Sequence, residues 1–479
     1  MANGAGTNRR AFLGRGIAGG LGLAVASASF VVPARAARRK GDEEPAAVPR
    51  TRGSEKLLRP RPDHPQPAAF DRLDQAWYKA AVGRLQEKLR EAGIDAALLT
   101  DRWNIIYFTG LFHTSTERPF AILIPAEGTA LTWFHPGLDR DLVDTWWIED
   151  KESYFDMKHA RGGFPNEGRV QEGDAVDLTR WMWEGIRKRG LAEKVVGTDA
   201  TYDEKARAII ADIAPRSTLK RIDDLCVNMR MVKTQEEIAL VQRAMNSWSR
   251  MHAFARDLIL SRGIDAYDFE IAQQTTAFGA DLILKEIERD GRPHTAVGIS
   301  IGVGVRSGLG TAFPHPNQFH YNRIRRGDAL QVAGVVTVGG YGGELYRAYQ
   351  LHPWDAHREK VWEVTTESCR IQQEHSAAGV ACSHVAKAVH DYQVKMGMQK
   401  YIYHRPAHGQ GSEGHQPPYI ALGDFTTLKE GMTFSNEPGL YDPQNGFGYN
   451  HSDCVLVTAK GGVPMGSVPL TKDWCFLKL

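Results

Sequence analysis

The stretch GDALQVAGVVTVGGYGGELYRAY, residues 327–349, decides the fold class. It opens on Gly327-Asp328, alternates apolar residues, turns through glycines and closes on Arg347. Period-two alternation sends successive side chains to opposite faces of a strand, and the glycines supply the turn, so the stretch reads as a β-hairpin. Strand-like runs at 344–352, 433–440 and 453–458 and helical stretches near 265–290, 355–376 and 380–397 surround it. Helices segregated from glycine-rich hairpins predict an α+β domain built on an antiparallel sheet.

A start signal precedes that domain. In KTQEEIALVQRAMNSWSRM (233–251), Thr234 and Glu237 form a capping box, and Ile238, Val241, Met245 and Trp248 make the apolar stripe of a long helix. Further upstream, Val82, Leu85, Leu89 and Ala92 recur at helical spacing, and Gly93 stands where a glycine ends a helix. IDAALLT, NIIYFTG, FAILIPA and TALTWFH then read as strands of an α/β domain reaching to about residue 225. GVGVRSGLG at 302–310 lacks the strand–turn–helix setting of a phosphate loop and reads as a plain loop.

The chain has 479 residues, long enough for two to three domains, and its net charge of +2 excludes the strong basic excess of a dedicated nucleic-acid binder. Five scattered cysteines, Cys226, Cys369, Cys382, Cys454 and Cys475, imply buried thiols rather than a zinc cluster or disulfide framework. At the amino terminus, Arg9 and Arg10 precede the apolar stretch IAGGLGLAVASASFVV, and ARA at 34–36 gives a small-x-small cleavage pattern. This resembles a twin-arginine export signal, with a periplasmic or otherwise exported product and no stable membrane span after cleavage. The expected organisation is a signal at 1–36, a charged, proline-rich arm at 37–73, an amino-terminal domain at 74–228 and a catalytic domain at 229–479.

Four stretches of the last domain gather residues of catalytic type. FPHPNQFHYNRIRRGD offers His315 and His320; GGYGGELYRAY offers Glu344, Tyr346 and Arg347; HRPAHGQGSEGHQPPY offers His404, His408 and His415; and GMTFSNEPGLYDPQNGFGYNHSDCVLV offers Glu437 and His451. Carboxylates and imidazoles brought together from distant strands suit proton transfer, where one group takes a proton as another gives one.

In order and spacing these stretches resemble the creatinase/aminopeptidase P/methionine aminopeptidase family, peptidase clan M24. The resemblance implies a pita-bread catalytic domain over about 230–479, preceded by a creatinase/prolidase-type amino-terminal domain. The family's metallopeptidases hold two ions with two aspartates, one histidine and two glutamates. Transferred one by one, these positions fall on Ala333 (Val332 if the register slips by one), Glu344, His408, Glu437 and Ser452. Two of the five cannot act as the family's carboxylate ligands, so a standard dinuclear centre is not expected.

By resemblance to creatinase, which works without metal, His315 would shuttle protons while Glu437 and Glu344 grip a planar, cationic substrate and His408 adds a second relay. Tyr346 stands where creatinase has its other glutamate. Arg118 is expected to reach the substrate across a homodimer boundary, and Tyr346, His415 and His451 to shape the pocket. The reading expected first is therefore a cofactor-free, creatinase-like hydrolase or lyase that cleaves a C–N bond of a small polar substrate. The alternative is an Xaa-Pro-type aminopeptidase or lyase with one divalent ion at Glu344, His408, Glu437 and His451. A third is an inactive binding protein on the same fold. Each residue also has a plain reading: His315 as a turn histidine beside proline, Glu344 as a solvated strand residue, Arg118 as a surface arginine.

Overall fold

The computed structural model describes residues 53–60, 64–113, 116–155, 177–290, 292–293, 295–315 and 321–479. The twin-arginine leader, much of the arm and His320 lie outside the described residues.

The amino-terminal part is a six-stranded sheet made of β1 (Ala96–Leu99), β2 (Ala121–Pro125), β3 (Thr132–Pro136), β4 (Asp150–Tyr154), β5 (Val195–Thr198) and β6 (Thr218–Arg221). Its order is β4-β3-β2-β1-β5-β6, with antiparallel pairing only at β1–β2 and β2–β3. Six helices accompany it: α1 (Gln75–Glu91), α2 (Arg102–Thr109), α3 (Arg140–Asp144), α4 (Leu178–Lys188), α5 (Glu204–Ile213) and α6 (Asp223–Met231). Asp74, Asp101, Asp177 and Asp203 start four of these by accepting backbone N–H groups, a cap worth about 1 kcal/mol each. Val82, Leu85 and Leu89 form the buried stripe of α1, as their spacing predicts.

NIIYFTG is a correction: it belongs to helix α2, not to a strand. Its β-branched and aromatic residues mimic a strand, but Asp101 caps Trp103 and Asn104, and Gly110 closes the helix at φ +73°. A Cβ on Gly110 would also lie 2.3 Å from the Tyr78 ring. Burial of Ile105, Ile106, Tyr107 and Phe108 then overrides local β preference.

The second part opens with α7 (Gln235–Arg262), whose capping box by Thr234 and Glu237 forms as expected, and continues with α8 (Asp268–Glu286). A short ribbon, β7 (Glu288–Arg289) with β8 (Arg292–Pro293), leads to β9 (Ser300–Ser307). The hairpin that opens this account is β10 (Ala329–Val338), β11 (Tyr341–Glu344) and β12 (Arg347–Leu351). β10 pairs with β9 along one edge, and with β11 and β12 along the other. The run at 302–310 is thus largely strand, not loop. Its glycines conceal the alternation of Ile301, Val303 and Val305 with Gly302, Gly304 and Arg306.

Helices α9 (Ala356–His375) and α10 (Cys382–Lys395) precede β13 (Ala407–Gly409), β14 (Gln416–Ile420), β15 (Thr433–Phe434), β16 (Leu440–Asp442), β17 (Phe447–Tyr449), β18 (Val455–Val457) and β19 (Gly462–Pro464). The chain continues into α11 (Lys472–Cys475) and β20 (Phe476–Leu477). A second sheet runs β14-β13-β15-β18-β19, all antiparallel. The two sheets meet where Tyr346 and Ser452 exchange backbone hydrogen bonds of 2.9 and 3.2 Å. The α+β class follows directly from these sheets and helices. All five cysteines are free and buried. Among the described residues no helix is long and apolar enough to cross a membrane.

Candidate active site

Glu344 ends β11, His408 is the middle residue of β13, Glu437 follows β15, and His415 immediately precedes β14. The junction of the two sheets brings all four together. His408 Nε2 lies 3.1 Å from Glu437 Oε1 and 3.4 Å from Glu344 Oε1. His415 Nε2 lies 3.8 Å from the same Glu344 oxygen, and its ring stacks on His408 at 3.7 Å between centroids. Glu344 and His408 are buried, Glu437 is 14% exposed, and the His415 side chain opens to solvent at 64%.

Neighbours fix each group. Gln410 Oε1 accepts from the Glu344 backbone N–H at 2.9 Å, and Ser452 Oγ donates to Glu344 Oε2 at 3.3 Å. Tyr346 hydrogen-bonds Glu344 from the same strand region. Ser435 Oγ accepts from the His408 backbone at 3.1 Å and donates to Glu437 Oε1 at 3.2 Å. His408 Nδ1 sits 3.2 Å from Gly409 O, so the ring places its proton on Nδ1 and aims the other nitrogen at the carboxylates. That nitrogen, though close to two oxygens, has no aligned hydrogen-bond partner.

The electrostatics split the two carboxyls. Burial and the neighbouring Glu437 charge raise Glu344. Burial also opposes ionisation of Glu437, but His408, with His404 and His415, holds it below the ordinary carboxylate range. Burial opposes charge on His408 too, yet the two glutamates outweigh it and push its pKa up to about 10. The cluster therefore attracts positive charge strongly at its centre.

A tetrahedral ion with ligands about 2.1 Å away spaces them about 3.4 Å from one another. The observed gaps of 3.1, 3.4 and 3.8 Å bracket that spacing. Glu344, His408 and His415 alone offer three ligand atoms within 4.8 Å of one another, and two imidazoles with carboxylates suit zinc or iron. The residues fit one first-row divalent ion. Ala333 on β10 and Ser452 carry no carboxylate, and among the described residues no second group of ligand-type side chains gathers around them.

Sequence comparison matches Metallopeptidase family M24 over residues 239–459 and the creatinase/prolidase N-terminal domain over 82–232. A probable dipeptidase PepE of Mycobacterium tuberculosis is 30% identical over 409 residues, spanning 83% of this chain and 96% of that protein. The chain belongs to metallopeptidase family M24. An Xaa-Pro dipeptidase of Pyrococcus horikoshii is 23% identical over 383 residues, covering 79% of this chain and 95% of its own. In three dimensions the M24 chain superposes on the prolidase from Pyrococcus horikoshii OT3 with a TM-score of 0.65 at 20% identity, over 81% of this chain and 99% of that one. The dipeptidase PepE structure from Mycobacterium ulcerans gives a TM-score of 0.67 at 22% identity, over 85% and 100%. The pita-bread fold is thereby established, and with it an M24 hydrolase acting on C–N bonds.

The expectation of a cofactor-free site is overturned. The chain belongs to a family of metallopeptidases, and its own Glu344, His408 and His415 place three ligand atoms within 4.8 Å of one another, where one ion could bind. The ligand set expected for the alternative also needs correcting. His451 is buried on the far side, where Nδ1 accepts from the Ala348 N–H at 3.2 Å, Nε2 lies 3.4 Å from Thr366 Oγ1, and the ring meets Trp362 edge to face. His415 occupies the place expected for it.

His315 stands exposed at the rim, where its charge reaches His415, and it hydrogen-bonds to neither glutamate. Arg118 lies in the amino-terminal part, paired with Glu117 at 2.7 Å, and lines a separate cavity of about 190 Å³ with His113 and Asp139. Sequence reasoning missed Gln410 and Ser435. Gln410 lies inside the quoted HGQGSEGH stretch, so its place beside the ligand histidine was the available signal.

Behind the hairpin, His252 Nε2 bonds Leu345 O at 2.8 Å, and burial with the nearby Arg347 charge lowers its pKa to about 3. Below pH 6.5 the unfolded chain protonates this histidine and the folded chain does not, so its contribution to stability is complete above pH 6.5 and is lost as pH falls toward 3. The variant His252→Gln keeps a donor for Leu345 O and removes the titration. Between pH 6.5 and 4.5 the native protein is expected to lose roughly 2 kcal/mol more than this variant, as read from urea midpoints. Parallel pH profiles would contradict the assignment.

Proposed function

We propose that this chain is a dipeptidase of the Xaa-Pro type that uses one divalent ion at Glu344, His408, Glu437 and His415. The observation that carries the reading is His408 Nε2, unaligned with any hydrogen-bond acceptor between two carboxylate oxygens at 3.1 and 3.4 Å. The dipeptidase and Xaa-Pro dipeptidase relatives, matched over nearly their full length, supply the substrate class. An ion bound there would polarise a peptide carbonyl and lower the pKa of a bound water.

The chain's own residues do the rest. Ser435 and Gln410 fix Glu437 and Glu344 in place, so the two carboxylates need no reordering when substrate arrives. Glu344 turns Oε1 toward the ion site and keeps Oε2, which accepts from Ser452, on its other side, so the same carboxylate can hold the ion and take a proton from an attacking water. His315, at the open rim near His415, is placed to give a proton to the departing amine.

Purified enzyme incubated with Ala-Pro, Gly-Pro, Ala-Pro-Gly, creatine and simple amides tests the proposal. Release of proline from the dipeptides ahead of every other substrate is the expected result. Turnover of creatine with no cleavage of any peptide would contradict it.

A further inference from the structure

Arg306 on β9 has no place in the chemistry above, yet it sits on the same sheet face. Register fixes this: Arg306 pairs with Gln331, and Gly304 with Ala333 on β10, while Val335 pairs with Glu344 on β11. Paired residues in an antiparallel sheet, and residues two apart on one strand, point the same way. Between Arg306 and Glu344 this face carries Gly302, Gly304 and Ala333, with Gln331 beside Arg306 and Val335 beside Glu344. Both glycines are exposed, and a Cβ on either would meet nothing closer than 3.7 Å. The small side chains leave a shallow trough in the middle of this face, with Val335 and the Glu344–His408 group at one end and Gln331 and a guanidinium at the other.

That guanidinium is only partly used. Nη1 donates to Pro314 O at 2.8 Å and to Phe313 O at 3.3 Å, which also ties down the segment leading to His315. No carboxylate among the described residues lies within ion-pair distance of it, although Glu437, Tyr346 and Tyr441 feel its charge. A largely buried cation held by carbonyls but no carboxylate is costly, and its remaining N–H groups form a planar fork suited to one.

We propose that Arg306 anchors a carboxylate of the substrate, so that the trough selects short substrates with a free acid end. The inference rests on the peptidase reading for its natural ligand and adds a residue and a recognition rule to it.

The test compares Ala-Pro with Ala-Pro amide in native enzyme, Arg306→Met and Arg306→Lys. Native enzyme is expected to prefer the acid in kcat/KM by roughly ten- to a hundredfold, the worth of a charge-assisted hydrogen bond. The preference should fall to near one in Arg306→Met and survive in part in Arg306→Lys, whose folded state guards against a merely structural loss. An unchanged preference in Arg306→Met, or none in native enzyme, overturns the proposal. If native enzyme cleaves neither peptide, the peptidase reading fails and calorimetry with proline and prolinamide decides the anchor. Tighter proline binding that Arg306→Met abolishes supports it; equal binding of the two by native enzyme overturns it.

Discussion

Replacing His408 with alanine is expected to lower kcat by roughly 10³-fold or more, with the bound ion lost in parallel. The size follows from its position: its single Nε2 lies 3.1 Å from Glu437 and 3.4 Å from Glu344. Without it, two buried carboxyls confront each other, and Glu344, already raised by burial and by Glu437, takes up a proton. Protonation relieves the repulsion, so the variant should fold while its ion site is dismantled. His408→Gln keeps the bulk and a polar end but not the imidazole, and is expected to behave as the alanine variant does. Activity within tenfold of native, with metal content unchanged, would remove His408 from the centre of the account.

Arg347→Met is expected to destabilise the fold by about 3–5 kcal/mol, the usual cost of breaking a buried ion pair from one side. Arg347 is 1% exposed. Its Nη2 reaches both Asp453 oxygens at 3.1 Å and Val468 O at 2.6 Å. Nε donates to Pro469 O, and Nη1 to Tyr346 O at 2.7 Å and Ser452 O at 3.0 Å. Those last two carbonyls belong to the backbone bridge that joins the sheets under the active site. Methionine fills the volume but leaves the Asp453 charge buried and four carbonyls short of a donor. The double variant Arg347→Met/Asp453→Leu should recover part of the loss. Urea unfolding measures both; a single-variant change below about 1 kcal/mol would mean the pair is dispensable.

The hairpin, the capping box of α7 and the gathering of Glu344, His408 and Glu437 were legible because local pattern and long-range packing agree there. Where they disagree, the sequence misled. α2 looks like a strand, since Ile105, Ile106, Tyr107 and Phe108 are strand formers, and only the Asp101 cap and the left-handed Gly110 mark the helix. β9 looks like a loop because its open face is glycine, the feature that clears a trough beside Ala333. His451 falls outside the cluster and His415 joins it for a geometric reason. His451 lies next to the Ser452 position but turns to the opposite face, against Trp362, while His415 folds back over His408 from a loop whose path no periodicity reveals. The absence of carboxylates at Ala333 and Ser452 led the sequence reading to a site without any ion, which the metallopeptidase family and the clustered Glu344, His408 and His415 contradict.

The most direct measurement is the number of divalent ions per chain, by elemental analysis and calorimetric titration of chelated enzyme, with activity on Ala-Pro followed at each addition. One ion per chain, with activity rising to a plateau at one equivalent, is the predicted result. Full activity with no ion bound, or a plateau reached only at two, would contradict a single-ion site built on Glu344, His408, Glu437 and His415.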